Sequence, residues 1–190
     1  MIEADEILLT DTMLRGFAGT GVPLELRPKV SCRLRGCDLQ GNGSGTALFL
    51  NGSGNLLLEG CQMSGATNAL NFRVLQAEFD PLAAVDSAGS RIVIPNHPFR
   101  HGELVRFTAG GGGIGGLADG AEYRVIYLDA NSIQLSDSLR GSAIALSSAT
   151  AGAASLRKAL TVKLRDLRNS CPTLVANSDR PLSFTQDGSW

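Results

Sequence analysis

The sequence predicts an all-β protein: a short right-handed parallel β-helix of about four to five coils, carrying an inserted small antiparallel β-barrel or sandwich domain. Three observations predict it. A repeat of about 24 residues runs through the first 72 positions, and it resumes near Val162. The stretch between is punctuated as short strands with a different rhythm.

The repeat emerges when Leu9–Gly16 is laid over Leu34–Gly41 and then over Leu58–Gly65, at offsets of 25 and 24 residues. Ile7, Cys32 and Leu56 share one column, and Leu9, Leu34 and Leu58 the next. Leu14, Leu39 and Met63 form a third, and Gly16, Gly41 and Gly65 a fourth. Each copy carries a second apolar pair two residues apart: Leu24/Leu26, Leu48/Leu50 and Leu70/Phe72. An i, i+2 spacing is the period of a strand, and short strands divided by Gly, Asn and Ser turns at a fixed interval suit a coiled parallel sheet. A leucine-rich repeat has a similar length but wants a fixed Asn or Cys ladder and a helical return, which are missing here.

Later in the chain Val162 and Leu164 take the first two columns, and Asp166 takes that of Gly36 and Gly60. Leu174/Ala176 supply the second pair, and Leu182/Phe184 open a fifth turn. The 89 residues between Phe72 and Val162 therefore read as an insertion at one turn, a place where a solenoid tolerates it. Residues 1–74 and 159–190 are assigned to the β-helix and 75–158 to the insert. Outward-facing Thr10, Arg35, Glu59 and Arg165 share a column. Each exposed pair in it contributes only about 0–1 kcal/mol, but the alternation avoids like-charge stacking.

Within the insert, Arg91–Ile94, Glu103–Phe107, Glu122–Tyr127 and Ser132–Leu135 read as strands. Asp86–Ser90 and Asp129–Asn131 read as hairpin connections, and no helical period is visible. A small antiparallel barrel or sandwich would bury such strands.

Composition and motifs exclude several classes of function. The formal net charge is −1, from 17 basic and 18 acidic residues, and no basic stripe is present, so no nucleic-acid partner is expected. Met1–Glu6 is acidic, and no apolar run approaches the roughly 20 residues of a membrane span, so no membrane partner is expected either. The four cysteines are too scattered for a disulfide scaffold. Asp11, Asp38, Glu59 and Asp166 fall in three different columns, with Gly36 and Gly60 between Asp11 and Asp166, and the stack Asp38, Gln62, Arg168 holds one acid. Stacked Cys37 and Cys61 read as free thiols, because zinc needs four ligands and His97 and His101 lie outside the repeat. Those two histidines flank a Pro-Phe-Arg turn and read as structural. Gly110–Gly116 lacks the Lys-Ser/Thr ending of a phosphate loop and reads as a flexible hairpin loop. No Gly-x-Ser-x-Gly elbow occurs. No catalytic residue, cofactor or metal ligand is assigned, and the chain is read as no enzyme.

An ordered series of blocks carries a resemblance: Val85-Asp86, Ile92–His97, Gly102–Val105, Gly110–Gly113, Ile114–Gly120, Tyr123–Ile126 and Asp129–Leu135. Over residues 80–140 the chain resembles a β module of structural proteins of marine phages and of large bacterial surface proteins. Pro98 stands where that module has Gly. The coils resemble the parallel β-helices of phage tailspikes and pectate-lyase-like proteins. The resemblance implies a non-catalytic structural protein of a phage particle, a capsid decoration (cement) or tail-associated protein. It would be assembled in the host cytoplasm and found in the virion, with capsid or tail proteins as partners. Self-association as a homotrimer is expected, with Phe184 and Trp190 near a contact. The alternative is a carbohydrate-binding or carbohydrate-cleaving β-helix, a tailspike- or lyase-like adhesin at an extracellular surface.

Overall fold

The computed structural model describes residues 1–15, 24–176 and 181–188. The chain divides into two compact units, Met1–Val74 with Leu160–Trp190 and Leu75–Ala159. The first is a β-solenoid and the second an antiparallel sheet, and both are nearly free of helix. Among the described residues, no helix is long and apolar enough to cross a membrane.

Three ladders of parallel strands build the solenoid. The first stacks β1 (Ile2–Thr10), the second half of β3 (Leu24–Arg35), β6 (Gly54–Glu59), β16 (Leu160–Arg165) and β19 (Ser183–Asp187). The second stacks β2 (Met13–Arg15), β4 (Asp38–Gln40), β7 (Gln62–Ser64) and β17 (Arg168–Asn169). The third stacks the first half of β3 with β5 (Thr46–Leu50), β8 (Asn68–Phe72) and β18 (Thr173–Val175). The coil count differs from the four to five expected. Strand β3 passes through two faces, and β1 lies along both halves of it with one register shift between Ala4 and Glu6, so the third ladder also begins in β1.

Register follows the apolar columns. Ile7 pairs with Cys32, Cys32 with Leu56, and Leu56 with Val162; Leu9, Leu34, Leu58 and Leu164 form the neighbouring stack. These side chains meet the other two ladders in one core, where Leu34, Leu58 and Val162 are fully buried. Each buried Leu contributes on the order of 1.5–3 kcal/mol. The fourth rung of the Leu14/Leu39/Met63 column is Asn169. Its amide closes on the backbone of Cys171, accepting from N at 3.0 Å and donating to O at 3.2 Å, so no polar atom of it is left to the core.

Two late registers differ from the sequence reading. Val175, not Leu174, pairs with Leu70. Phe184, not Leu182, pairs with Val162, which puts Gln186 beside Leu164. The corners between faces vary in length, so counting from one coil to the next loses the frame once a corner gains or loses a residue. Gly16 of the glycine column lies outside the described residues, as does Trp190.

The second unit is one seven-stranded sheet. Its order is β10 (Val85–Asp86), β11 (Arg91–Val93), β14 (Ser132–Ser136), β13 (Glu122–Asp129), β12 (Leu104–Thr108), β15 (Ala154–Lys158), β9 (Gln76–Phe79). All neighbours are antiparallel. A single sheet replaces the expected sandwich, and among the described residues no pairing joins β9 to β10 to close a barrel. The two predicted hairpins are present, β10–β11 and β13–β14. One helical turn, α1 (Pro81–Ala84), escaped the sequence reading. Asp80 caps it by accepting from Leu82 N, and Pro81 opens it, a start signal too short to leave a helical period. Phe99, Val105, Phe107, Val125, Ile133, Leu135 and Leu156 form this unit's own core. Its first and last strands, β9 and β15, are neighbours, as an insertion that leaves and rejoins one turn requires.

Candidate functional site

The outward side of the first ladder carries three columns set by register. One is Glu6, Ser31, Asn55 and Thr161; the next is Leu8, Arg33, Leu57 and Lys163; the third is Thr10, Arg35, Glu59 and Arg165. In the third, Arg35 Nε donates to Glu59 Oε2 at 2.7 Å and Arg165 Nη1 to Glu59 Oε1 at 3.4 Å. The hydrogen bond from Arg35, with the charge of Arg165 behind it, holds the Glu59 carboxyl below its ordinary value. Asp187 continues the alternation by register with Arg165. At the other end of β3, Arg27 pairs with Glu25 at 2.7 Å and Glu3 at 3.9 Å, and Lys29 with Asp5 at 4.0 Å.

The corner between the first and second ladders is a column of left-handed residues: Asp11 (φ 48°), Gly36 (58°), Gly60 (61°) and Asp166 (50°). Glycine adopts this conformation freely and Asp is among the few other residues that tolerate it. A side chain at Gly36 would also run into Asp11. Asp11 and Asp166 are three rungs apart, about 14 Å at the spacing of parallel strands. Two carboxylates cleaving a glycosidic bond stand about 5–9.5 Å apart, so this pair does not form such a site. Beside the corner, Asp38, Gln62 and Arg168 occupy successive rungs. Asp38 Oδ2 accepts from Gln40 Nε2 at 2.8 Å, while its Oδ1 is buried without a hydrogen-bond partner. These residues line a cleft of about 330 Å³ with Gly36, Gly60 and Asp166.

The cysteines are buried free thiols. Cys37 Sγ donates to the carbonyls of Leu9 and Arg35, and Cys61 Sγ to those of Leu34 and Glu59. Burial pushes the Cys32 thiol up to about 12 and Cys61 up to about 11. Thiols so displaced are poor nucleophiles. Among the described residues, no three His, Cys, Asp or Glu side chains are grouped to hold a metal ion.

In the inserted unit, His97 has both ring nitrogens engaged. Nδ1 accepts from Phe99 N at 3.3 Å, and Nε2 donates to Asp129 O at 2.8 Å. Phe99 stacks on the ring and Tyr127 meets it edge-on, so both ring nitrogens are committed to these contacts and neither points to a metal site. His101 is exposed in the adjoining turn. The glycine-rich segment lies in the connection of the β12–β13 hairpin, as read from the sequence, and backbone hydrogen bonds pair it with a later segment. Ser147 N donates to Gly115 O at 2.9 Å, Gly115 N to Ser148 O at 2.7 Å, and Thr150 N to Gly113 O at 3.0 Å. This is an irregular ribbon, and Pro81, the first residue of the single turn α1, lies against its Gly112.

Sequence reasoning missed one polar pair altogether. Glu103 and Lys158 meet at 2.6 Å with 4% and 2% of their side chains exposed. The available signal was the alternation in Ala154–Lys158, which sets Lys158 on the same face as Ala154 and Leu156. No protein-family description, curated protein or solved structure matches the chain.

Proposed function

We propose that the chain is a non-catalytic structural protein of a phage particle, a capsid decoration or tail-associated component that acts through protein–protein contacts. The observation that carries this reading is the outward face of the first ladder: side chains fixed in columns on a parallel sheet, with Glu59 held between Arg35 and Arg165. A surface of that kind is ordered before any partner arrives, which lowers the entropy cost of association. The sequence resemblance of residues 80–140 to a phage and cell-surface module supports the same reading. A right-handed winding and a homotrimer belong to it. The test is quantitative mass spectrometry and electron microscopy of particles produced from the genome that encodes the chain. It should be present in fixed copy number and visible at one structural position; purified particles that lack it would overturn the reading. Light scattering should give three times the 19.9 kDa chain mass.

A second reading, a carbohydrate-binding adhesin, draws on the corner cleft, where Asp38, Gln62 and Arg168 place a carboxylate, an amide and a guanidinium on successive rungs. Glycan-array binding that Arg168→Ala and Gln62→Ala abolish would favour it; no binding to any glycan would remove it.

A further inference from the structure

Strands β1, β3, β6, β16 and β19 carry six basic residues: Arg27, Lys29, Arg33, Arg35, Lys163 and Arg165. Four of them, Arg27, Lys29, Arg35 and Arg165, are met by carboxylates. Arg33 and Lys163 are not, and among the described residues neither side chain makes an ion pair or hydrogen bond. Both belong to the central outward column, Leu8, Arg33, Leu57, Lys163, where apolar and basic residues alternate rung by rung. Leu8 is 67% exposed. The flanking column of Glu6, Ser31, Asn55 and Thr161 is mostly small and polar, with one acid at its first rung, so a cleft of about 530 Å³ runs along Glu6, Leu8, Arg33, Asn55 and Leu57.

We propose that this column is a docking track for an acidic amphipathic helix of a partner protein. The proposal rests on the reading of the chain as one that works through protein contacts. Its basis is charge complementarity and spacing together. Rungs of a parallel ladder are about 4.8 Å apart, so the four side chains sit at about 0, 4.8, 9.6 and 14.4 Å along the face. A helix rises about 1.5 Å per residue, so positions i, i+3, i+7 and i+10 sit at about 0, 4.5, 10.5 and 15 Å along one stripe. A stripe reading apolar, acidic, apolar, acidic therefore meets Leu8, Arg33, Leu57 and Lys163 in step. An extended peptide advances about 6.6–6.8 Å for every side chain on one face and falls out of step within two rungs. The apolar positions bury Leu8 and Leu57, and the carboxylates give the two unmatched cations their partners.

The experiment uses the full chain and a fluorescent synthetic helix bearing Leu, Glu, Leu, Glu at i, i+3, i+7 and i+10, followed by anisotropy. A second peptide of the same composition, with the four residues dispersed around the helix, is the control. Saturable binding of the striped peptide is expected, weakened by added salt and by about tenfold or more in Arg33→Glu/Lys163→Glu, with a variant of exposed Arg140, Arg140→Glu, unchanged. Arg33→Gln/Lys163→Gln serves if the charge-reversed protein does not fold. The proposal is overturned by absence of saturation, by equal binding of the dispersed peptide, or by equal binding to the double variant. Displacement of the peptide by polygalacturonate at lower concentration than by unlabelled peptide would assign the track to an anionic polysaccharide instead. A chain present in particles that does not bind the striped helix sinks the track alone. A chain absent from particles that binds it sinks the structural-protein reading alone.

Discussion

Lys158 Nζ lies 2.6 Å from Glu103 Oε1, with both side chains almost wholly out of water. Glu103 Oε2 accepts in addition from Arg100 N at 2.9 Å, so the carboxylate is satisfied on both oxygens. Removing one partner of a buried pair leaves an uncompensated charge, which costs about 3–5 kcal/mol, whereas replacing both with apolar residues of similar volume is often neutral or stabilising. Glu103→Ala should therefore destabilise the inserted unit strongly, and Glu103→Leu/Lys158→Met should restore most of the loss. Both tyrosines of the chain, Tyr123 and Tyr127, lie in this unit, so urea unfolding followed by their near-ultraviolet circular dichroism reads the effect. A double variant as unstable as the single one would show that the pair is not what matters there.

Leu34 pairs with Leu9 on one side and Leu58 on the other and is fully buried. Leu34→Ala should cost about 2–5 kcal/mol through lost contact and cavity. Leu34→Asp puts an unpaired carboxylate into the stack and should unfold the solenoid. Unchanged thermal stability of the Asp variant would refute the assigned register.

The thiols should be silent in the native protein. Cys32 and Cys61 are buried and pushed up to about 12 and about 11, and Cys37 and Cys171 are buried as well. An aromatic disulfide reagent at pH 8 should titrate the four thiols only after denaturant is added. Fast reaction of any of them in the native state would contradict this packing.

Stability should decline in acid. Hydrogen bonds from Arg27 and Asn51 lower Glu25, overcoming the opposing effect of burial. The Arg35 bond lowers Glu59, the Gly89 amide and Arg91 lower Asp86, and Ser132 with the Asn131 amide lowers Asp129. Each group has a folded value below its unfolded one. Its stabilisation is therefore present above the unfolded carboxylate range of about 4 and is lost as pH falls through the folded value. Melting temperature measured from pH 7 to pH 3 should be nearly level down to about 5 and then fall. A melting temperature that rises below pH 4 would contradict these partners.

The solenoid was legible because its signal is repeated. Ile7, Cys32, Leu56 and Val162 share a column whichever coil is read first, and the Arg35–Glu59–Arg165 alternation marks the outward side of the same strands. Legibility ended where repetition ended. The corner leading to Val175 and the segment leading to Phe184 have lengths of their own, so counting slipped by one and by two residues. In the insert, the strands with strong alternation, such as Glu122–Asp129, could be read, but Gln76–Phe79 and Ala154–Lys158 were missed. Gln76–Phe79 is short and polar, and its strand character comes from pairing with Ala154–Lys158 far along the chain. The unmatched state of Arg33 and Lys163 was also invisible in one dimension, since it depends on which carboxylates the register brings to their neighbours.

The most direct test is methyl NOE spectroscopy on leucine-labelled protein. Leu58 stacks on Leu34 within the first segment and on Leu164 across the whole insertion. Cross-peaks for both pairs, Leu34–Leu58 and Leu58–Leu164, are expected at comparable strength. A Leu34–Leu58 cross-peak without its Leu58–Leu164 counterpart would show that the solenoid does not resume after the insert.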